Sequence, residues 1–215
     1  MNLLTKMALG LIGQMRPDAP TGDSSLAVAL PPPQTQGGMA LMQALARRQS
    51  ARAFDSAALP AQTLSDLLWA AAGINRPEHG GRTAPSAMNS QEVDVYVALP
   101  EGLYLYDPQA HALQRVLAAD VRRVTGYQDF VDDAPLDLVY VADHARMKLV
   151  PAALRESYAS TAVGAMAQNV YLFCASAGLS TVIRAWIDRQ ALATAMGLGT
   201  DQQVMLAQTV GGAPP

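Results

Sequence analysis

The sequence Ala159-Ser-Thr-Ala-Val-Gly-Ala-Met-Ala-Gln-Asn-Val-Tyr-Leu-Phe-Cys-Ala-Ser-Ala-Gly178 belongs to the longest helical pattern in the chain. Pro151 begins this pattern and Gly178 ends it, which are the helix ends that proline and glycine favour. Apolar side chains occupy nearly every side of the predicted helix: Val163, Met166, Ala167, Val170, Tyr171 and Cys174. Because a helix that is apolar all round must be buried, we expect this one to be covered on all sides.

Shorter helix and strand patterns flank this helix in the sequence. Apolar residues at helical spacing predict helices over residues 39–49, 60–73 and 187–196. Alternating or continuous apolar residues predict strands over residues 92–99, 103–106, 111–116, 137–142, 179–183 and 204–210. Strands and helices follow one another without a regular βαβ rhythm, so the sequence predicts the α+β class.

The composition narrows the classes of function. Half of the 215 residues are hydrophobic, which is enough for one sizeable core or at most two small ones. Charged residues make up 15% of the chain, below the usual quarter, and this indicates that part of the surface is buried against another chain. The formal net charge is −3 and no long Lys/Arg run occurs, so we expect no nucleic-acid partner. No apolar run approaches ~20 residues, so we expect no membrane span.

The first part of the chain differs in composition from the rest. Residues 17–38 are rich in Pro, Gly, Ser and Gln, which predicts an extended arm that wraps a partner chain. We therefore divide the chain into an arm, residues 1–38, and a folded domain, residues 39–215. Lys6 and a short apolar run faintly resemble a signal peptide, but Arg16 follows at once. We expect a retained segment and a cytoplasmic protein, with a periplasmic location as the alternative if the segment is a signal peptide.

Several residue types that often carry chemistry have a plain structural interpretation here. Cys174 lies in an apolar run, which favours core packing over a nucleophilic role. The histidines are scattered without metal-ligand spacing, so we expect surface positions and predict no metal: His79, His111 and His144. Trp69 and Trp186 lie in apolar contexts, which favours core or interface positions over ring stacking.

Three segments carry groups that could bind a cofactor, and the first is strongly basic. It places three arginines, a glutamine and a serine hydroxyl within six residues: Arg47, Arg48, Gln49, Ser50 and Arg52. A guanidinium presents a forked set of donors that suits a phosphate group. The alternative is a solvated basic helix end, which the helix dipole favours, and the spacing taken alone favours that alternative.

The second and third segments are a polar loop and a helical glycine. The loop spans residues 82–91 and contains Arg82, Pro85, Ser86, Asn89 and Gln91. Such a loop can recognise the edge of a planar ring, although an ordinary polar turn has the same composition. The third segment is centred on Gly164. A glycine in a buried helix costs about 1 kcal/mol relative to alanine, so close packing or close approach of a ligand should offset it.

Together the three segments resemble the nitroreductase family over about residues 31–212. Arg48-Gln-Ser-Ala-Arg-Ala-Phe54 is similar to the family's basic-x-Ser-x-basic-x-Phe entry. Pro85-Ser-Ala-Met-Asn-Ser-Gln91 is similar to its Pro-Ser-x-x-Asn-x-Gln loop, the most specific of these motifs. Gly164-x-x-x-Gln168-Asn169 resembles the start of its central-helix signature, and Val210-Gly-Gly212 resembles its closing Val-Gly-Tyr-Pro. Residues 82–86 and 104–108 lean towards the SagB-type dehydrogenase branch.

The resemblance implies a fold and an assembly. The fold would be a three-layer sandwich with a central mixed or antiparallel sheet flanked by helices. The assembly would be a homodimer with FMN at the interface. The activity would be hydride transfer from NAD(P)H, or an organic donor, to a small organic acceptor by a ping-pong mechanism. No Gly-x-Gly-x-x-Gly follows a strand, so NAD(P)H would stack on the flavin as a transient substrate.

The resemblance also implies roles for single residues. Arg48 and Ser50 would hold the phosphate and ribityl groups, and Arg52 would lie near the flavin N1–O2 edge. Ser86 and Asn89 would contact the ring or the ribityl chain. The backbone N–H of Val163 or Gly164 would face flavin N5. The flavin performs the chemistry, so no catalytic acid, base or nucleophile of the protein is predicted.

Two departures from the family pattern leave alternatives open. Residues 211–215 read Gly-Gly-Ala-Pro-Pro where many members carry Lys or Arg for the phosphate, and Arg47 or Arg184 are the candidates to replace that clamp. Val163 stands where an acidic residue often precedes the central glycine. The alternatives are a flavin-binding protein without turnover, such as a flavin store or a partner subunit of a modification complex, and a structural dimer that has lost FMN. Residues 120–135 carry no recognisable signature of a substrate.

Overall fold

The computed structural model describes residues 27–214, and these residues contain nine strands and four α-helices. The strands are β1 (Ala27–Ala29), β2 (Ile74–Arg76), β3 (Gly81–Arg82), β4 (Val93–Leu99), β5 (Gly102–Asp107), β6 (Ala112–Leu117), β7 (Leu136–Asp143), β8 (Leu179–Arg184) and β9 (Gln202–Gly212). The helices are α1 (Leu41–Arg47), α2 (Ala61–Ala72), α3 (Ala152–Ala177) and α4 (Arg189–Met196).

Seven of the strands form one sheet, in the order β1-β6-β5-β4-β7-β9-β8. Every neighbouring pair in this sheet is antiparallel, so the sheet is antiparallel throughout rather than mixed. The remaining two strands, β2 and β3, form a separate short hairpin. Because β8 is an edge strand, one side of its backbone is open to whatever segment lies beside it.

The helices lie on both faces of the sheet, as the predicted three-layer sandwich requires. Helices α2 and α3 pack on one face, and α4 packs on the other. The alternation in β4 matches this arrangement, because Val93, Val95 and Val97 join the first core whereas Tyr96 and Ala98 join the second. The α+β fold class is therefore confirmed.

The helix α3 is present over the predicted range, but the prediction that it is buried on all sides is wrong. The six apolar residues named for it are all buried. Five of them recur at helical spacing and therefore share one face towards the sheet: Val163, Met166, Ala167, Val170 and Cys174. The opposite face is exposed and carries small or polar residues: Ser157, Thr161, Gly164 and Gln168. In the single chain, α3 thus has one covered face and one open face.

Part of the predicted arm belongs to the sheet of its own chain. Residues Ala27–Ala29 pair with β6, and the Pro31 carbonyl accepts a hydrogen bond from Ser65 Oγ of α2 at 2.6 Å. Three residues in a stretch rich in Pro and Gly give too short a pattern to predict a strand. Residues 1–26, which include the signal-like run, lie outside the described residues, and the boundary at residue 38 stays a prediction.

Candidate functional site

The basic segment Arg48–Arg52 lies beside the open edge of β8. The Ala51 N–H donates to the Thr181 carbonyl at 3.0 Å, and Ser50 Oγ lies 2.8 Å from the hydroxyl of Tyr171 on α3. The same hydroxyl accepts a hydrogen bond from the Ile183 N–H at 3.0 Å. Tyr171 therefore fixes the segment to both α3 and β8.

The charged groups of this segment face outwards. The Arg48 guanidinium lies 5.3 Å from the centre of the Tyr171 ring, a cation–π distance. Arg47, Gln49 and Arg52 are exposed. Helix α1 ends at Arg47, so the interpretation as a solvated helix end fits Arg47 and not the residues after it. The segment after Arg47 presents guanidinium and hydroxyl donors on a fixed backbone, which suits an anionic ligand.

The polar loop of residues 85–91 has an unusual backbone. Three of its non-glycine residues have positive φ: Met88 at 52°, Asn89 at 54° and Gln91 at 47°. Each such residue costs roughly 1–3 kcal/mol, and backbone of this kind clusters at ligand sites. The loop therefore differs from an ordinary polar turn, and this favours the binding interpretation.

Hydrogen bonds from inside the protein hold this loop. Gln91 Nε2 donates to the Gly80 carbonyl at 2.8 Å and to Asn89 Oδ1 at 3.0 Å, and the Gln91 N–H donates to Ser86 Oγ at 3.0 Å. Arg146 Nη1 donates to the Gln91 carbonyl at 2.9 Å and forms an ion pair with Asp94. Gln91 is buried, so it supports the loop and is corrected from a ligand contact to a structural residue.

Arg82, the first residue of the polar segment, is largely buried. Its Nη1 donates to the Val93 carbonyl at 3.2 Å. Burial lowers the pKa of Arg82, and the Asp94 carboxylate opposes that effect. Burial raises the pKa of Asp94, and the Arg146 guanidinium opposes that shift. Since Arg82 Nε is buried without a hydrogen-bond partner among residues 27–214, the assignment of Arg82 to cofactor binding stays a prediction.

Arg184 is not available as the phosphate ligand that the sequence predicted as one of two candidates. Its guanidinium donates to Asp137 Oδ1 at 2.7 Å, to the Thr125 carbonyl at 2.6 Å and to Thr209 Oγ1 at 3.0 Å. The side chain is 3% exposed. Because internal acceptors already occupy this guanidinium, Arg47 is the remaining candidate of the two.

The predicted hydrogen bond from the Val163 or Gly164 N–H to flavin N5 is also excluded. Both residues lie within the continuous helix α3, where each N–H donates to the carbonyl four residues earlier. A resemblance can identify the glycine but not the hydrogen bonds of its backbone. A Cβ at Gly164 would meet nothing within 4 Å, so close packing inside the chain does not explain the glycine either. What remains is an open position on α3 that another molecule can approach closely.

A free backbone donor that sequence reasoning missed lies at the end of β8. Ala185 is exposed, and its N–H has no hydrogen-bond acceptor among residues 27–214. Ala185 follows Ile183 by two residues, so its N–H lies about 7 Å along the strand from the Ile183 N–H, which donates to the Tyr171 hydroxyl. The side chains in the sequence do not indicate such a donor, because the backbone N–H is free only where strand pairing ends.

The candidate segments do not all meet within one chain. Tyr171 contacts the basic segment, whereas Asn169 Nδ2 donates to the Thr83 carbonyl, just before the polar loop, at 3.4 Å. Two residues apart on a helix, these side chains point roughly 160° from each other. Gly164 lies within roughly 20° of Tyr171 and roughly 10 Å from it along the helix axis. The basic segment and the open glycine thus share one side of α3, and the polar loop starts from the other.

Cys174 and His111 behave as structural residues, which corrects the prediction for His111. Cys174 is buried, and burial raises the pKa of its thiol well above the usual range, which fits core packing. His111 is a network residue rather than a surface residue, with Nε2 at 2.7 Å from Ser65 Oγ and Nδ1 at 2.9 Å from the Tyr106 hydroxyl. Trp186 is 69% exposed in the described chain, so it is not a core residue, and the predicted interface position stays a prediction.

Among residues 27–214, no cluster of His, Cys, Asp and Glu could hold a metal ion. None of the helices in this range combines the length and apolar character that crossing a membrane requires.

The fold and these exposed donors define an α+β protein with a candidate site for an anionic ligand. The model of the nitroreductase family matches residues 45–212. The chain therefore belongs to the nitroreductase family, as the motifs predicted. This is a family of oxidoreductases, so the general class of activity agrees with the expectation, whereas the SagB-type branch stays a prediction.

Individual relatives agree with this membership. A Methanocaldococcus jannaschii protein assigned as a nitroreductase is 34% identical over 152 residues, 66% of this chain and 76% of that protein. A solved structure assigned as a nitroreductase, from Ralstonia eutropha, is 52% identical with a TM-score of 0.85, covering 94% of this chain and 96% of that one. A Desulfovibrio desulfuricans structure of the same assignment, in complex with FMN, is 22% identical with a TM-score of 0.59, covering 81% and 87%. At 22% identity, the similarity to the Desulfovibrio desulfuricans structure shows the fold alone.

Proposed function

We propose that this protein is an FMN-dependent oxidoreductase that acts as a homodimer. The observation that carries the proposal is the exposed basic segment, which Tyr171 fixes beside the open edge of β8. Family membership and the FMN bound in the Desulfovibrio desulfuricans structure support the choice of cofactor. Bound FMN would supply two-electron chemistry between NAD(P)H, or an organic donor, and a small organic acceptor.

The residues present fit FMN in the chemistry of their donors. Arg48 and Ser50 offer charged and hydroxyl donors for a phosphate and a sugar-like chain, with Arg47 exposed nearby. Arg52 is exposed on the same segment and can stabilise negative charge on a reduced ring. The free Ala185 N–H takes over the donor role that the α3 backbone cannot fill, because it is exposed and without an internal acceptor.

A second copy of the chain would complete the site. The basic segment and the polar loop start from opposite sides of α3, so one chain does not enclose a ligand between them. Large apolar side chains are exposed on α1 and at the start of α3: Leu41, Met42, Leu45, Leu154 and Tyr158. Leu154 and Tyr158 lie on α3, the helix whose open face includes Gly164, and the other three lie on α1, which packs against α3. Packing two copies through these helices would cover the apolar groups and bring Ser86 and Asn89 of one copy towards Arg48 of the other.

The residues of the protein act by binding and orientation. The guanidinium groups attract the anionic part of the cofactor, and the polar loop holds the ring edge in a fixed direction. A dimer that covers the open face of α3 would exclude water from the reacting edge, which strengthens each of these interactions. Within the described residues, we assign no side chain as a proton donor or acceptor in the reaction.

The absorbance spectrum of the purified protein is the first test. A flavin spectrum, release of FMN on denaturation and steady-state oxidation of NAD(P)H with an added acceptor are the expected results. Flavin without turnover would favour a flavin-binding protein over an enzyme, and absence of flavin after reconstitution would overturn the proposal. Arg52→Ala provides the residue-level test, because loss of the guanidinium should lower the two-electron potential of the bound flavin. An unchanged potential in a redox titration would remove Arg52 from its assigned place.

A further inference from the structure

An exposed pair of aromatic rings lies at the end of β8, and it is not among the residues proposed to bind FMN. Tyr127 and Trp186, which we call the aromatic pair, are 50% and 69% exposed. Their ring centres are 5.4 Å apart and their planes are tilted by 44°. Rings as large as these usually bury most of their surface. Their exposure in a chain with only two tryptophans therefore calls for an explanation.

The backbone that carries the aromatic pair is held firmly from inside. Arg184, two residues before Trp186, donates to the carbonyl of Thr125, two residues before Tyr127, at 2.6 Å. Arg184 Nη2 also donates to Thr125 Oγ1 at 3.0 Å and to the buried Asp137 at 2.7 Å. One buried ion pair thus fixes both chain segments. Two exposed rings on a fixed backbone form a preorganised surface, which differs from the mobile surface side chains of ordinary loops.

The aromatic pair lies next to the part of the site where the cofactor would react. Trp186 directly follows Ala185, whose free N–H is the donor at this end of β8. Asp188 follows Trp186 by two residues, and partial burial together with this nearby carboxylate raises the pKa of the Tyr127 hydroxyl, so a negative charge lies beside the pair. A flat, electron-rich surface beside a carboxylate attracts a planar ring and repels an anion.

We propose that Tyr127 and Trp186 determine substrate specificity by stacking against a planar ring of the electron-accepting substrate. This inference rests on the proposed FMN-dependent activity. The pair favours planar rings without negative charge over compact anions. Tyr127 fixes the orientation of Trp186, and Trp186 provides the larger stacking surface.

Steady-state kinetics of the holoenzyme with two acceptors test this inference. Menadione is planar and uncharged, whereas ferricyanide is compact, non-planar and anionic. Trp186→Ala should raise the KM for menadione at least tenfold, which is about 1.4 kcal/mol, and change the KM for ferricyanide less than twofold. Trp186→Phe retains a ring and should recover most of the lost affinity for menadione.

Other outcomes overturn the inference in distinguishable ways. Equal changes of KM for both acceptors, or no change for either, would mean that the aromatic pair does not select the substrate. A shift from dimer to monomer in light scattering of Trp186→Ala would show that the rings pack against a second copy. A wild-type protein that holds no FMN and reduces neither acceptor would overturn the proposed function itself, and the stacking role with it.

Discussion

Two buried ion pairs hold the two ends of the candidate site, and they support different kinds of backbone. Arg184 and Asp137 are 3% and 0% exposed, and they fix the extended end of β8. Arg146 and Asp94 are 13% and 5% exposed, and they support the loop that contains the positive φ angles. Strand pairing already favours the first conformation, whereas the second needs contacts from outside the loop. We therefore expect the first pair to matter most for global stability and the second for ligand binding.

The largest effect should come from Arg184→Met. The change leaves the Asp137 carboxylate in the core without its cationic partner, and breaking a buried pair in this way costs roughly 3–5 kcal/mol. Urea denaturation of the protein should show this loss in the free energy of unfolding. Arg184→Met combined with Asp137→Asn removes the buried charge as well and should recover part of the stability. A double variant no more stable than the single one would mean that packing, and not charge, explains the effect.

Arg146→Met should have a smaller effect on stability and a clearer one on binding. Solvent reaches this pair more easily, so we expect a loss of roughly 1–3 kcal/mol in the free energy of unfolding. The Gln91 carbonyl loses its hydrogen bond, the strained loop relaxes, and the Kd for FMN should rise at least tenfold. The matched control is Arg122→Met, which breaks a pair with the more exposed Asp120 and a hydrogen bond to the Ala134 carbonyl, away from the loop, and should leave the Kd for FMN unchanged. Equal FMN affinities for the two variants would contradict the role of Arg146.

Much of the framework could be predicted from the sequence because the signals are local. The alternation in β4 and the long pattern of α3 follow from side-chain direction along one element. The exposed segment Arg48–Arg52 and the loop of residues 85–91 coincide with two of the motifs, and their binding role stays a prediction. In each case the residues that form the feature are neighbours in the sequence.

The errors involve partners that are distant in sequence. Arg184 looked free because its acceptors, Asp137 and Thr125, lie 47 and 59 residues away. Arg146 supports the loop from 55 residues away and belongs to no motif. The donor role given to Gly164 failed for another reason, because a motif carries no information about whether a backbone N–H is already used. The open face of α3 was missed because apolar content was counted without regard to which side each residue occupies.

Gly164→Ala tests the open face of α3, because the stability of the apoprotein should rise while the affinity for FMN or for the second copy should fall. The new methyl group meets nothing within 4 Å in the chain, so the apoprotein should gain up to about 1 kcal/mol from helix propensity. If another molecule lies close to the glycine, the Kd for FMN or for the dimer should rise about tenfold, on the order of 1.4 kcal/mol. Gln168→Ala, one turn further on the same face, keeps a Cβ and serves as the control. A gain in stability without loss of FMN or dimer would mean that this face is open to water.

The smallest effect concerns a hydrogen-bond network that is centred on His111 and contains no ion pair. Its ring lies between Ser65 and Tyr106, and its Nε2 is also 3.1 Å from the Pro31 carbonyl near β1. The Tyr106 hydroxyl can donate to Nδ1 in the neutral ring, whereas Nδ1 of the protonated ring can only donate. Burial lowers the pKa of His111 below its ordinary 6.5, opposed by the Pro31 carbonyl and by the nearby Asp66 carboxylate.

The sign of the pH effect follows from this direction. Between the folded and unfolded pKa values of His111, the unfolded chain binds more protons, so stability rises with pH in that window. The network should therefore be fully stable above about pH 6.5 and lose stability as the pH falls towards the folded pKa. Since much of the ring is reached by solvent, we expect only a few tenths of a kcal/mol. Urea denaturation at pH 7.5 and 5.5 should show a smaller difference for His111→Gln than for the wild type. His79→Gln, at an exposed histidine, should leave the wild-type difference unchanged, and an equal reduction in both variants would show that the network around β1 is not the source.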